Sequence, residues 1–266
     1  MKTYIEVDQH LHLICQIIAK ANRTYVPKKA DDSHTNLYYD SLGNRITGRW
    51  IKTSKEKIML TLNLESQKIE IISKSGRILE SFHTISMHMD AIENQIESKL
   101  PTLGLDPKGF KENLHFEIPD YSFSSEPVEQ LSKEGLSLWK EYRSLANHSC
   151  LRLLGHAQFS EEIRIWPHHF DTGIYFKANN DLGVGFGLAV KDSMVGAPYF
   201  YMSAYPEGRQ IDYDNVSKSG IWKWEIGEDW KGAILELNKL TELSGIDKKN
   251  AVDEYLTSAY SWYISQ

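Results

Sequence analysis

Apolar residues recur at three- and four-residue steps in four stretches of the chain and alternate with polar ones in much of what lies between. Leu11, Ile14, Ile18, Ala21 and Tyr25 form one stripe, which predicts a helix over about Tyr4–Tyr25. Pro27 stops it, because proline has no amide hydrogen to continue the ladder. Ile85, Met89, Ile92, Ile96 and Leu100 predict a second helix, ended by Pro101. A third is expected to begin around Glu126-Pro127, where proline suits a first helical turn, and to carry Leu138, Trp139, Tyr142 and Leu145. Val252, Leu256, Ala259 and Tyr263 mark a last helix over about Lys248–Tyr263.

Between these lie strands. Lys57–Leu64 alternates, with Ile58, Leu60, Leu62 and Leu64 on one face, and Lys74-Ser75-Gly76 separates Lys68–Ile72 from Arg77–Phe82 as a hairpin. Asn36–Asp40 leads into a turn at Ser41-Leu42-Gly43-Asn44. Later strands are predicted at Glu162–Phe176, Leu182–Val190, Pro198–Tyr205, Ile221–Ile226 and Ala233–Leu240. Helix, antiparallel meander, helix thus occurs twice, over about 1–121 and 122–266, with a proline- and serine-rich seam at Pro119–Pro127. The expectation is an α+β fold forming a single integrated domain over 1–266. Its sheet is mostly antiparallel, with helices packed on one face.

Composition narrows the function classes. The 266 residues are 41% hydrophobic and 25% charged, ordinary for a globular chain. A net charge of −6 and the absence of a Lys/Arg block argue against nucleic acid or an anionic membrane as partner. No apolar run approaches the roughly 20 residues that span a bilayer. Acids interrupt Met1–Asp8 before a signal-peptide core could form. Cys15 and Cys150, far apart and both in helical contexts, suit a reducing compartment, so the cytoplasm is expected.

The chemistry concentrates in the second half. On a pleated strand through Trp166-Pro167-His168-His169-Phe170-Asp171, His169 and Asp171 share a face, an arrangement suited to general-base or metal chemistry. A third group would have to come from His34, His156, Glu207 or elsewhere. The bland alternative is a polar pair at a sheet edge. Leu182–Val190 puts Gly183, Gly185, Gly187 and Ala189 on one strand face, which implies close approach by a helix or an aromatic ring such as Trp166 or Trp222, in preference to the floor of a flat ligand pocket. Its Gly-x-Gly-x-Gly pattern is not a dinucleotide loop. Tyr199, Tyr201, Ser203 and Tyr205 share a face, and Tyr205 with Glu207 is placed near a pocket mouth. No Walker loop, nucleophile elbow or His-Glu-x-x-His occurs, and no cofactor is expected.

The chain resembles a bacterial family of uncharacterised proteins, a domain of unknown function. The resemblance runs through His10-Leu11 and Gln16–Lys20, His34 with Leu37-Tyr38, and Glu117-Ile118-Pro119-Asp120. It continues with Phe170-Asp171 and Ala204-Tyr205-Pro206-Glu207, and closes on Tyr255-Leu256 and Ser258–Tyr260. His168 and His169 depart from the family pattern. The resemblance implies one integrated domain and supplies no activity.

The reading these features support is a protein that binds a small molecule or peptide in an aromatic cleft of its second half, using Trp166, His168, His169, Asp171, Tyr205 and Glu207. The alternatives are an acid/base or metal-assisted hydrolase built on His169 and Asp171, and an interaction protein that self-associates through its aromatic face. The oligomeric state is left open.

Overall fold

A computed structural model describes residues 1–216 and 220–266. The fold is α+β, with helices flanking two antiparallel sheets. The chain divides into two compact units, one of residues 2–140 and 165–170, the other of residues 1, 141–164 and 171–266.

In the first unit, α1 (Lys2–Tyr25) precedes β1 (Tyr38–Asp40), β2 (Arg45–Thr47), β3 (Ile51–Lys52), β4 (Lys57–Asn63), β5 (Lys68–Ser73), β6 (Ile78–His83) and α2 (Met89–Lys99). The sheet order is β1-β2-β4-β5-β6, with β3 pairing on β4. Register partners Tyr39, Ile46, Leu62, Ile69 and Phe82 form one buried row across the five strands. The alternation read in β4 is the cause: Ile58, Leu60 and Leu62 all reach the core, where the stripe Leu11, Ile14 and Ile18 of α1 is also buried. In the expected turn Asn44 takes the left-handed conformation (φ 50), and Gly76 does so in the β5–β6 hairpin (φ 81).

The irregular run after α2 is fastened to α1. The Arg23 guanidinium donates to the carbonyl oxygens of Gly109, Glu112 and Asn113, each at 2.9 Å. The Tyr25 hydroxyl donates to the Asp106 carbonyl at 2.7 Å. Further on, His10 stacks on Phe123, with ring centroids 3.8 Å apart.

Helix α3 (Lys133–Ala157) begins six residues beyond the expected Pro127, and the chain from Pro127 to Ser132 is not helical. The second unit then holds most of β7 to β12: β7 (Arg164–Ile165), β8 (Thr172–Asn179), β9 (Leu182–Ala189), β10 (Tyr199–Pro206), β11 (Lys223–Ile226) and β12 (Lys231–Glu236), followed by α4 (Gly245–Ile264). Strands β11-β12-β10-β9-β8 lie side by side, so β12 inserts between β10 and β11. Ile174, Phe186, Met202 and Ala233 are register partners and all buried. Over this face α4 anchors itself by two tyrosines: the Tyr255 hydroxyl donates to the Ala233 carbonyl at 2.8 Å and Tyr263 to that of Met202 at 3.2 Å. Ser244 caps α4 through the Asp247 amide, so the helix starts at Gly245, three residues ahead of the start read from the apolar stripe.

One predicted strand is not continuous. Within Glu162–Phe176, only Arg164–Ile165 and Thr172 onward are extended, and Pro167–His169 form a turn. Pro167 cannot join a ladder; the Phe170 amide instead donates back to the Trp166 carbonyl at 2.6 Å, with Phe170 in the left-handed region (φ 57). The alternation expected to place His168 with Phe170 and His169 with Asp171 is therefore broken at this turn. Similarly, Leu237–Leu240 is a 3₁₀ turn rather than the end of the last strand.

Candidate functional site

In the second unit β10 and β12 pair only from Tyr199–Met202 to Ala233–Glu236, although both strands continue past that point. They part at Ser203 and Gly232. The Ser203 hydroxyl donates to the Lys231 carbonyl at 2.8 Å, replacing a ladder bond with a side-chain one. The Trp230 ring lies across Gly232, where a Cβ would come 2.4 Å from the ring and 2.6 Å from the Met202 carbonyl oxygen. Glycine is required there by close approach. On the other side of β12 the ladder to β11 is intact through Lys231 and closes with the Gly227 amide donating to the Trp230 carbonyl.

The fork opens a cleft of about 420 Å³. Its aromatic walls are Tyr205, Tyr213 and Trp230; Ser203, Arg209, Gln210, Asp229 and Lys231 supply polar atoms. Tyr213 is braced from behind by Trp262, Trp224 and Tyr263, with ring centroids 5.3, 6.1 and 6.4 Å away. The Lys231 ammonium sits 5.5 Å over the Tyr213 ring, a cation–π distance. Arg209 faces Asp181 at 2.9 Å, an ion pair without an aligned hydrogen bond from Nε. Burial raises the phenols of Tyr205 and Tyr213 above their ordinary value, so both stay protonated near neutrality.

Tyr205 links the cleft to the glycine face of β9. Gly183, Gly185 and Gly187 are overlaid by Tyr175, Tyr205 and Tyr201 respectively. Packing by aromatic rings is thus what the bare face accommodates, and the rings are tyrosines of the flanking strands β8 and β10. Tyr175 and Tyr205 meet edge to face at 5.7 Å and remain 42% and 48% exposed.

The remaining residues singled out from the sequence fall as follows. Glu207 is exposed and holds the Lys177 ammonium at 2.5 Å, outside the cleft lining. Asp171 is buried and accepts from the Tyr201 hydroxyl at 2.6 Å through Oδ2; its Oδ1 has no partner among the described residues. Burial and the Asp171 charge push the Cys150 thiol up. In the first unit, His168 and His169 sit in the Pro167–His169 turn with rings 4.3 Å apart, and His168 also approaches Phe116 at 5.5 Å. Trp166 is half-buried beside them. The turn is held by α1: His12 Nε2 donates to the Pro167 carbonyl at 2.9 Å, as does Gln16 Nε2 at 2.9 Å. Among the described residues no three His, Cys, Asp or Glu side chains gather as metal ligands would.

Tyr213, Trp230, Asp229, Lys231 and the Arg209-Gln210 loop were not singled out as site residues from the sequence. The signal in Asp229-Trp230-Lys231 is local: a tryptophan between opposite charges just after a glycine turn. Comparison of the chain with protein-family models, curated proteins and solved structures gives no match. Among the described residues no helix is long and apolar enough to cross a membrane.

Proposed function

We propose that the protein binds a small molecule or short peptide in the cleft between β10 and β12. The observation that carries this reading is the parting of the two strands at Ser203 and Gly232, which leaves three aromatic rings and five polar side chains around one space of about 420 Å³. That volume falls at the small end of the roughly 300–1,000 Å³ usual for ligand pockets. Tyr213 is braced before any ligand arrives, so little of its side-chain freedom is lost on binding. Both cysteines are free and buried, in keeping with a reducing cytoplasmic setting.

A fragment library screened by thermal shift tests the reading. Hits are expected to stabilise the wild-type chain, and to lose that effect in Trp230→Ala and in Tyr205→Ala. Hits that stabilise both variants as well as the wild type would place the ligand elsewhere and refute the cleft.

A further inference from the structure

We infer that the ligand of this cleft is a carbohydrate of one or two pyranose units, an inference that rests on the cleft being the binding site. Three features of its wall point to that chemistry.

The first is charge balance. Arg209 is already matched by Asp181 at 2.9 Å, and Asp229 and Lys231 bring opposite signs to the same rim. A strongly anionic or cationic ligand therefore meets one charge of each sign beside an arginine that is already paired, and an uncharged one is favoured. The second is the mixture of donors and acceptors. Arg209 and Lys231 only donate, Asp229 only accepts, and Gln210 does both. A hydroxyl is itself both donor and acceptor, so a ligand ringed by hydroxyls can satisfy all four, whereas a peptide docked on aromatic ridges leaves most of them unused. The third is the fixed aromatic surface. Trp230 lies across Gly232, and Tyr213 is backed by Trp224 and Trp262. Rigid rings of this kind offer flat apolar area with a polar rim, which matches the apolar C–H face and the hydroxyl belt of a pyranose.

The experiment is a glycan array displaying hexose, pentose and N-acetylhexosamine mono- and disaccharides. Titration calorimetry of the full chain follows on the best responders, beside indole and a proline-rich peptide as non-carbohydrate probes. At least one saccharide is expected to bind saturably. Trp230→Ala is expected to weaken it roughly tenfold or more, as truncation of a central aromatic anchor does. Asp229→Asn, which alters an exposed side chain and leaves the fold alone, is expected to weaken it by about threefold to tenfold. Saccharide binding that ignores both substitutions overturns the assignment. Indole or peptide binding that is lost in Trp230→Ala, with no saccharide response, overturns the carbohydrate class while keeping the cleft as a site. Silence from every probe overturns both.

Discussion

The Tyr201 hydroxyl reaches Asp171 Oδ2 at 2.6 Å by lying across Gly173 and Gly187, which are themselves register partners on β8 and β9. A Cβ on Gly173 would come 3.2 Å from that hydroxyl, and one on Gly187 would come 2.9 Å. The two glycines, which pair too closely with neighbouring backbone to admit a Cβ, also leave room for one tyrosine to satisfy a carboxylate that is only 8% exposed.

Tyr201→Phe is expected to destabilise the protein by about 1–3 kcal/mol, the usual penalty for stranding a buried acceptor. Since Oδ1 already lacks a partner among the described residues, the substitution removes the one hydrogen bond that Asp171 makes there. Urea unfolding at neutral pH measures it. The double variant Tyr201→Phe with Asp171→Asn should recover part of the loss, because an amide is less costly to bury than a charge. No recovery would show that the ring's packing, not its hydroxyl, carries the effect.

Gly187→Ala and Gly185→Ala are expected to differ sharply. At 187 the new Cβ would meet the Thr172 carbonyl oxygen at 2.4 Å, a backbone atom that cannot step aside. At 185 the nearest atom is Tyr205 Cε2 at 3.2 Å, on a half-exposed ring free to shift. The first should lose about 1–3 kcal/mol by overpacking and the second under about 1. Equal losses in urea midpoints would refute the assignment of tight packing to 187.

Stability is expected to fall under alkaline conditions. Burial, reinforced for Tyr201 by the Asp171 charge, holds the phenols of Tyr201, Tyr255 and Tyr263 above their unfolded value near 10. For a group whose folded pKa is raised, the folded state keeps its proton longer than the unfolded one. Its stabilisation is therefore complete below about pH 10 and is lost as pH climbs beyond it. Urea midpoints should stay flat to about pH 10 and then drop. Phenolate absorbance should show part of the fourteen tyrosines titrating only as the chain unfolds. Full titration of all of them in the native state would contradict the burial argument.

Arg23→Lys is expected to loosen the segment around Gly109–Asn113 nearly as much as Arg23→Ala. One guanidinium serves three carbonyls at 2.9 Å through a fixed planar fork, which an ammonium on a flexible stem does not reproduce. Hydrogen exchange and limited proteolysis of residues 106–116 read the effect. Wild-type protection in the lysine variant would show that charge alone suffices.

Periodicity carried most of the fold in this sequence because apolar side chains keep to one row even where the opposite face is buried too, as at Thr61 in β4. The stripe Leu11–Ile18 and the alternation Ile58–Leu62 name their own core sides. It failed where a polar backbone partner, not a side-chain pattern, decides conformation. Pro127 marks no helix start, and the Phe170-to-Trp166 hydrogen bond turns the chain inside a run that reads as strand. The candidate cleft was legible only in part. Tyr205 shows as an aromatic at a strand end, but the fork depends on Gly232 admitting Trp230 and on Ser203 capturing the Lys231 carbonyl. Those are tertiary relationships with no sequence period.

The turn at Pro167–His169 offers a last test of how α1 controls local structure. His12 is fully buried and bonds at both ring nitrogens, Nε2 to the Pro167 carbonyl and Nδ1 to the Tyr121 hydroxyl at 2.8 Å. A carbonyl only accepts, so Nε2 carries a proton toward Pro167, while Nδ1 pairs with the Tyr121 hydroxyl. His12→Phe keeps the stack on Phe170, now 5.0 Å between centroids, but strands the Tyr121 hydroxyl; a loss of about 1–2 kcal/mol is expected. The Pro167 carbonyl still has Gln16 in that variant. Adding Gln16→Leu removes its second donor, so the two losses should exceed additivity by at least about 0.5 kcal/mol in a double-mutant cycle. Additive losses would mean that the shared carbonyl does not couple the two side chains, and that α1 holds the turn by packing alone.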